Sequence, residues 1–111
     1  MLTEAQGAVL YAPIAASGSG NNTLVAAVTD KKIRVLGYAM TGAGAVNAKF
    51  QSGAGGTDLT GLKTIAAAGG TVVAPASGLG YFETAKGALL NLNLSGAVAV
   101  GGELVYQLVK G

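Results

Sequence analysis

The residues that could carry out a reaction in this chain are few and far apart. Its five carboxylates stand singly, at Glu4, Asp30, Asp58, Glu83 and Glu103. Acid–base catalysis uses two carboxylates held together, and calcium sites use several clustered oxygen ligands. The chain contains no His and no Cys, which removes the commonest general base, the usual serine triad and every thiolate metal site. We therefore predict no enzymatic activity, no cofactor and no metal.

One glycine-rich segment comes close to a phosphate-binding loop. Residues 56–64 read GTDLTGLKT, so Leu62 separates Gly61 from Lys63. A phosphate loop needs its lysine directly after the second glycine, between a strand and a helix. Turns between strands explain this segment and the other glycine clusters more simply.

The composition indicates an assembly protein. The chain has 111 residues, a length that suits one domain. Only 11% of its residues are charged, against about 25% in an average soluble domain. Large neutral, apolar surfaces usually mark interaction sites. We therefore expect partners to cover much of the surface, the alternative being a monomer coated with Ser, Thr, Asn and Gly.

Charge and hydropathy restrict the kinds of partner. The net charge is +2, and the basic residues are scattered apart from the run at residues 31–34. A nucleic-acid binder shows a denser basic stripe, so no nucleic-acid partner is predicted. No stretch approaches 18 uninterrupted apolar residues, and the N-terminus carries Glu4 instead of the basic start of a signal peptide, so no membrane partner is expected either.

Alternating residues define the expected fold. In residues 33–52, Val46, Ala48 and Phe50 alternate with Asn47, Lys49 and Gln51, after a glycine turn at residues 41–44. We interpret this stretch as a hairpin, with Phe50 as a core anchor. Residues 88–94 alternate Leu with Asn in the same way.

Short strands with glycine turns every 8–12 residues fit a sandwich or barrel. The predicted fold is all-β, an antiparallel β-sandwich of jelly-roll type with about eight short strands, and an immunoglobulin-like sandwich is the weaker alternative. Residues 62–68 are interpreted as a brief helical turn or a loose strand. Residues 1–20 are predicted to be an N-terminal arm or the first edge strand, where Pro13 is tolerated, and residues 21–111 to be the sandwich domain.

The candidate contact residues are basic or aromatic. Lys31, Lys32 and Arg34 could meet an acidic partner, although a solvated turn is the favoured explanation. Tyr11 and Tyr38 are candidates for a contact or sugar-binding face, with core packing as the alternative.

Three segments resemble a known group of proteins. They are residues 14–40 (IAASGSGNNTLVAAVTDKKIRVLGYAM), 49–61 (KFQSGAGGTDLTG) and 90–109 (LNLNLSGAVAVGGELVYQLV). Together they resemble the small β-proteins of tailed-phage structural gene clusters, of the capsid decoration (cement) or head-fibre-base type.

This resemblance implies a jelly-roll sandwich without enzymatic activity that sits as an oligomer at symmetry positions of a shell. The expected function is decoration and stabilisation of the assembled bacteriophage capsid, with the major capsid protein and further copies of the chain, as a trimer or dimer, for partners. The expected location is the virion surface, after synthesis in the host bacterial cytoplasm. The alternative is a carbohydrate-binding jelly-roll module of a fibre or adhesin, which would use Tyr and Asn on an exposed face.

Overall fold

The protein is built from two antiparallel sheets packed face to face. The computed structural model describes residues 8–73 and 80–111, in which every regular element is a strand. The strands are β1 (Leu10–Ala16), β2 (Gly20–Val25), β3 (Lys31–Gly42), β4 (Val46–Ser52), β5 (Thr57–Asp58), β6 (Lys63–Ile65), β7 (Gly70–Val73), β8 (Phe82–Glu83), β9 (Leu90–Leu94) and β10 (Val100–Lys110).

The strand order is that of a jelly roll. Sheet 1 has the order β1-β10-β3-β7, with β8 also paired to β3, and sheet 2 has the order β2-β9-β4-β5, with β6 also paired to β4. Because β5 and β6 share one side of β4, and β7 and β8 one side of β3, each pair acts as one broken strand. Eight strands then remain, and the first pairs with the eighth, the second with the seventh, the third with the sixth and the fourth with the fifth. The predicted all-β jelly-roll sandwich is confirmed.

The prediction that residues 33–52 form a hairpin is wrong. Both strands exist, but β3 lies in sheet 1 and β4 lies in sheet 2, so they do not pair with each other. The glycine segment between them crosses from one sheet to the other. It starts with two bonds to neighbouring loops, in which Gly42 N–H donates to the Gly69 carbonyl at 3.0 Å and Ala43 N–H to the Ala99 carbonyl at 2.8 Å. Of the two interpretations of residues 62–68, a helical turn or a loose strand, the strand is formed, since β6 covers Lys63–Ile65.

A bulge explains why both faces of β3 looked mixed in the sequence. Tyr106 lies opposite Val35, while the preceding residue, Val105, lies opposite Gly37, so Leu36 is an extra residue in β3. A bulge of this kind reverses the alternation beyond it. Ile33 and Val35 therefore point into the core before the bulge, and Tyr38 and Met40 after it.

The core lies between the sheets and centres on Phe50. Phe50 is fully buried, with 0% of its surface exposed. Its ring centroid lies 4.9 Å from that of Tyr38 and 5.1 Å from that of Phe82, both on sheet 1, and tilted ring pairs at this separation are favourable. The leucines of β9, Leu90, Leu92 and Leu94, complete the sheet 2 side and are buried as their alternation predicts.

Leu10–Ala16 forms an edge strand of sheet 1 and pairs with β10 along its whole length. Pro13 lies within it, which fits an edge strand because the outer side of such a strand needs no N–H donors. Residues 1–7, the rest of the predicted arm, lie outside the described residues.

Truncating Phe50 tests the central position of its ring. We expect Phe50→Ala to lower the free energy of unfolding by about 3–5 kcal/mol, because the ring contacts both sheets and leaves a cavity. Urea denaturation measures the change. Tyr11→Ala, at a side chain that is 75% exposed, is the control and should change stability by less than about 0.5 kcal/mol. Equal losses of unfolding free energy in the two variants would contradict a core centred on Phe50.

Candidate functional site

The outer face of sheet 2 carries a chain of hydrogen-bonded polar side chains. Asn91 of β9 donates from Nδ2 to Asn21 Oδ1 on β2, at 2.9 Å, and to Gln51 Oε1 on β4, at 2.8 Å. The Asn91 Oδ1 accepts the backbone N–H of Asn22 at 2.8 Å. Asn91 is 0% and Gln51 5% exposed, although both lie on an outer face. Amides that bond to one another can be buried this way at little cost.

The chain of polar groups continues to the edge of the sheet. Gln51 Nε2 donates to Asp58 Oδ1 at 2.9 Å, and Lys49 Nζ lies 3.2 Å from Asp58 Oδ2. The Gln51 amide and the Lys49 ammonium both lower the pKa of the Asp58 carboxyl below its ordinary value of 3.8. We call these five side chains, Asn21, Asn91, Gln51, Asp58 and Lys49, the amide ladder. Their polar groups already bind one another.

The basic candidates lie together at the start of β3, and two of the three share one carboxylate, that of Glu83. Arg34 Nε lies 2.8 Å from Glu83 Oε2, and Lys32 Nζ lies 3.6 Å from Glu83 Oε1. Lys31 instead faces Lys110 across the β3–β10 pair. This end of sheet 1 therefore keeps a net positive charge, to which Lys110 adds, a residue that was not among the sequence candidates.

The two tyrosine candidates have different environments. Tyr38 is only 4% exposed and packs on Phe50, with the Lys63 ammonium 5.7 Å from its ring centroid. Its assignment to a contact surface is corrected: the bulge at Leu36 turns Tyr38 into the core. Tyr11 projects from the outer face of β1 and is one of the most exposed apolar side chains.

Lys32, Arg34 and Gln107 occupy outer positions at the basic end of sheet 1, whereas the rest of this outer face differs sharply from the amide ladder because it is almost entirely apolar. Its members alternate with core residues on four strands, and small side chains on β3 and β10 form its floor between Tyr11 and Val72 at the edges. We call it the sheet-1 face: Tyr11, Pro13, Ala15, Gly37, Ala39, Thr41, Gly70, Val72, Gly101, Glu103 and Val105.

Two adjoining hollows mark the middle of the sheet-1 face. Their volumes are about 300 Å³ and 140 Å³, and Ala39, Val72 and Glu103 line both of them. Val72 is 74% exposed. An open, apolar, concave surface of this kind is typical of a protein contact site. Sequence analysis missed it, although the small residues at alternate positions 37, 39 and 41 were visible.

Metal-binding clusters and membrane-spanning helices are absent from the described residues. Within residues 8–73 and 80–111, no group of three or more acidic side chains is placed to hold a metal ion. No helix long and apolar enough to span a membrane occurs in the described part of the chain. Comparison with protein-family models, curated proteins and solved structures finds no significant match.

Removing Asn91 tests whether the amide ladder stabilises the fold. We expect Asn91→Ala to cost about 1–3 kcal/mol, because it leaves the Asn22 N–H and Gln51 Oε1 without their partner in a buried position. Chemical denaturation gives the value. Asn93→Ala is the matched control, since Asn93 makes one exposed bond of 3.3 Å to Asn21, and we expect a change within about 0.5 kcal/mol. An unchanged free energy of unfolding for Asn91→Ala would show that the ladder contributes nothing to stability.

Acid titration tests the Asp58 end of the ladder. Because the folded-state pKa is below the ordinary value of 3.8, the carboxylate stabilises the fold above that pH, and the stabilisation is lost as the pH falls through the native pKa. The stability difference between wild type and Asp58→Asn should be constant near neutral pH and disappear in acid. Thr57→Ala, which removes no titrating group, should differ from wild type by the same amount at every pH. A pH-independent difference for Asp58→Asn would contradict the shift.

Proposed function

We propose that this protein is a non-enzymatic tailed-phage structural protein that decorates and stabilises the assembled capsid as an oligomer, with the sheet-1 face as its docking surface. The observation that supports this most directly is the contrast between the two outer faces of the sandwich. One face is polar and its groups are bonded to one another, whereas the other is apolar, hollowed and open.

A rigid scaffold behind the docking surface suits this role. The sheet-1 face belongs to strands β1, β10, β3 and β7, whose inner sides are packed into the core. Little conformational freedom is therefore lost when a partner covers it, which favours association. A protein that binds only the assembled shell stabilises it by mass action, and bridging neighbouring capsid subunits would extend that stabilisation across their boundary.

The carbohydrate-binding alternative has less support. It requires Tyr and Asn side chains together on one exposed face. Asn21 and Asn91 lie on sheet 2 and bond to each other, whereas Tyr11 lies on sheet 1 and Tyr38 is in the core. Sugar recognition needs polar groups that are free to bind the ligand, and the most buried amides of the ladder already have partners.

Binding to undecorated capsids of the cognate phage tests the proposal. We expect purified protein to co-sediment with these shells and to raise their disassembly temperature. Val72→Glu should abolish both effects, because it places a second carboxylate in the hollow that the shell must cover. Thr23→Glu is the matched control, an exposed edge-strand position on sheet 2, and should bind as wild type does. Absence of co-sedimentation by the wild-type protein would overturn the proposed function, and equal binding by Val72→Glu would overturn the proposed surface.

A further inference from the structure

A single charge lies in the middle of the sheet-1 face. The central row of this face, read across the sheet, is Pro13, Glu103, Ala39 and Val72. Glu103 is exposed and lines both hollows. No ion pair to Glu103 occurs among the described residues, and none of the other residues that form the sheet-1 face is charged.

Within residues 8–73 and 80–111, no cation is paired with this position. The nearest cation on β3 is Arg34, five residues from Ala39, a separation of about 17 Å along a strand, and it is paired with Glu83. Lys49 is bound to Asp58 on the opposite sheet, and Lys86 lies 3.8 Å from Asp30. As far as the described part of the chain shows, the Glu103 carboxylate faces solvent while the face is open.

Covering the face removes that solvent. Burial of an unpaired carboxylate costs several kcal/mol, whereas a carboxylate that meets a well-placed cation is compensated and makes the contact selective. Glu103 lies on the second strand from the edge, between Pro13 and Ala39, so a segment that fills the hollows also covers its carboxylate. A partner that covers the face must therefore bring a cation to Glu103.

We propose that the segment covering the sheet-1 face belongs to a different protein, is otherwise apolar, and carries one Lys or Arg side chain seated against Glu103. The inference rests on the proposed function, in which the capsid shell provides that segment. The methylene groups of the basic side chain would pack on Ala39 and Val72 while its charged end reaches the carboxylate.

The same charge argues against a second copy of the chain as the occupant. A two-fold contact between two sheet-1 faces, with its axis near the hollows, brings Glu103 against Glu103 of the other copy. Like charges that approach in a dehydrated interface repel each other strongly. Self-association through this face is therefore disfavoured, and any oligomer contact uses other surfaces.

Variants that neutralise or reverse the charge of Glu103 test this inference. Their binding is measured by co-sedimentation with undecorated cognate capsids. Glu103→Gln should weaken binding at least about tenfold, and Glu103→Lys more than about a hundredfold. Asp30→Asn is the matched carboxylate-to-amide control away from the face, and its affinity should equal that of wild type. Urea midpoints should be the same for all of these variants and the wild type, because both side chains are exposed. Raising the salt concentration should weaken wild-type binding more than that of Glu103→Gln.

Separate outcomes distinguish the inference from the proposed function. If Val72→Glu abolishes binding but Glu103→Gln binds as tightly as wild type, the docking surface stands and the cationic partner residue is refuted. If Glu103→Gln forms new dimers by light scattering and loses them with Val72→Glu, the occupant is a second copy and the inference is also refuted. A Lys→Glu or Arg→Glu substitution in the major capsid protein that restores binding of Glu103→Lys would establish the pair directly.

Discussion

Packing of the two sheets around Phe50 is the interaction on which the rest of the structure depends. The ring is completely buried and touches Tyr38 and Phe82 of the opposite sheet, so it links the two layers at their centre. The jelly-roll topology makes this packing possible, because it pairs the first half of the chain with the second and then folds the paired ribbon over itself. Each sheet thereby contains strands from both halves of the chain, and neither sheet can form its inner face independently.

The close approach of β10 and β3 within sheet 1 requires small residues at the points where their backbones meet. Gly102 of β10 adopts a φ of 152°, in the range that favours glycine, and a Cβ there would overlap the Ala39 carbonyl oxygen of β3. The small residues of these two strands thus have two consequences. They let β10 and β3 pair closely beneath the surface, and they leave the hollows above it, beside Glu103.

Sequence reasoning identified the strands better than their partners. The alternation in β4 and β9 located both strands and correctly placed Phe50 and the leucines in the core, because a period of two is a local property. It could not show that β3 and β4 belong to different sheets, since a glycine turn serves a hairpin and a crossing between sheets equally well. The bulge at Leu36 has no local signature, and it alone decides that Tyr38 is buried. The amide ladder could not be predicted from local sequence patterns either, because Asn21, Gln51 and Asn91 meet only through strand pairing over long sequence distances.

The few charged side chains of this chain are concentrated in particular parts of the structure. Charged side chains gather in ion pairs at the basic end of sheet 1 and at the edge of sheet 2, as in the pairs of Arg34 with Glu83 and Lys49 with Asp58. Sheet 2 compensates for its shortage of charge with amides that bond to one another, and so presents a polar surface. Among the described residues, sheet 1 has no such ladder, and away from its basic end its outer face holds the Glu103 carboxylate among apolar and small residues. The two faces are built from similar strands on one core, so their difference is not a requirement of the fold, and it is the reason for our proposal that sheet 1 binds a partner.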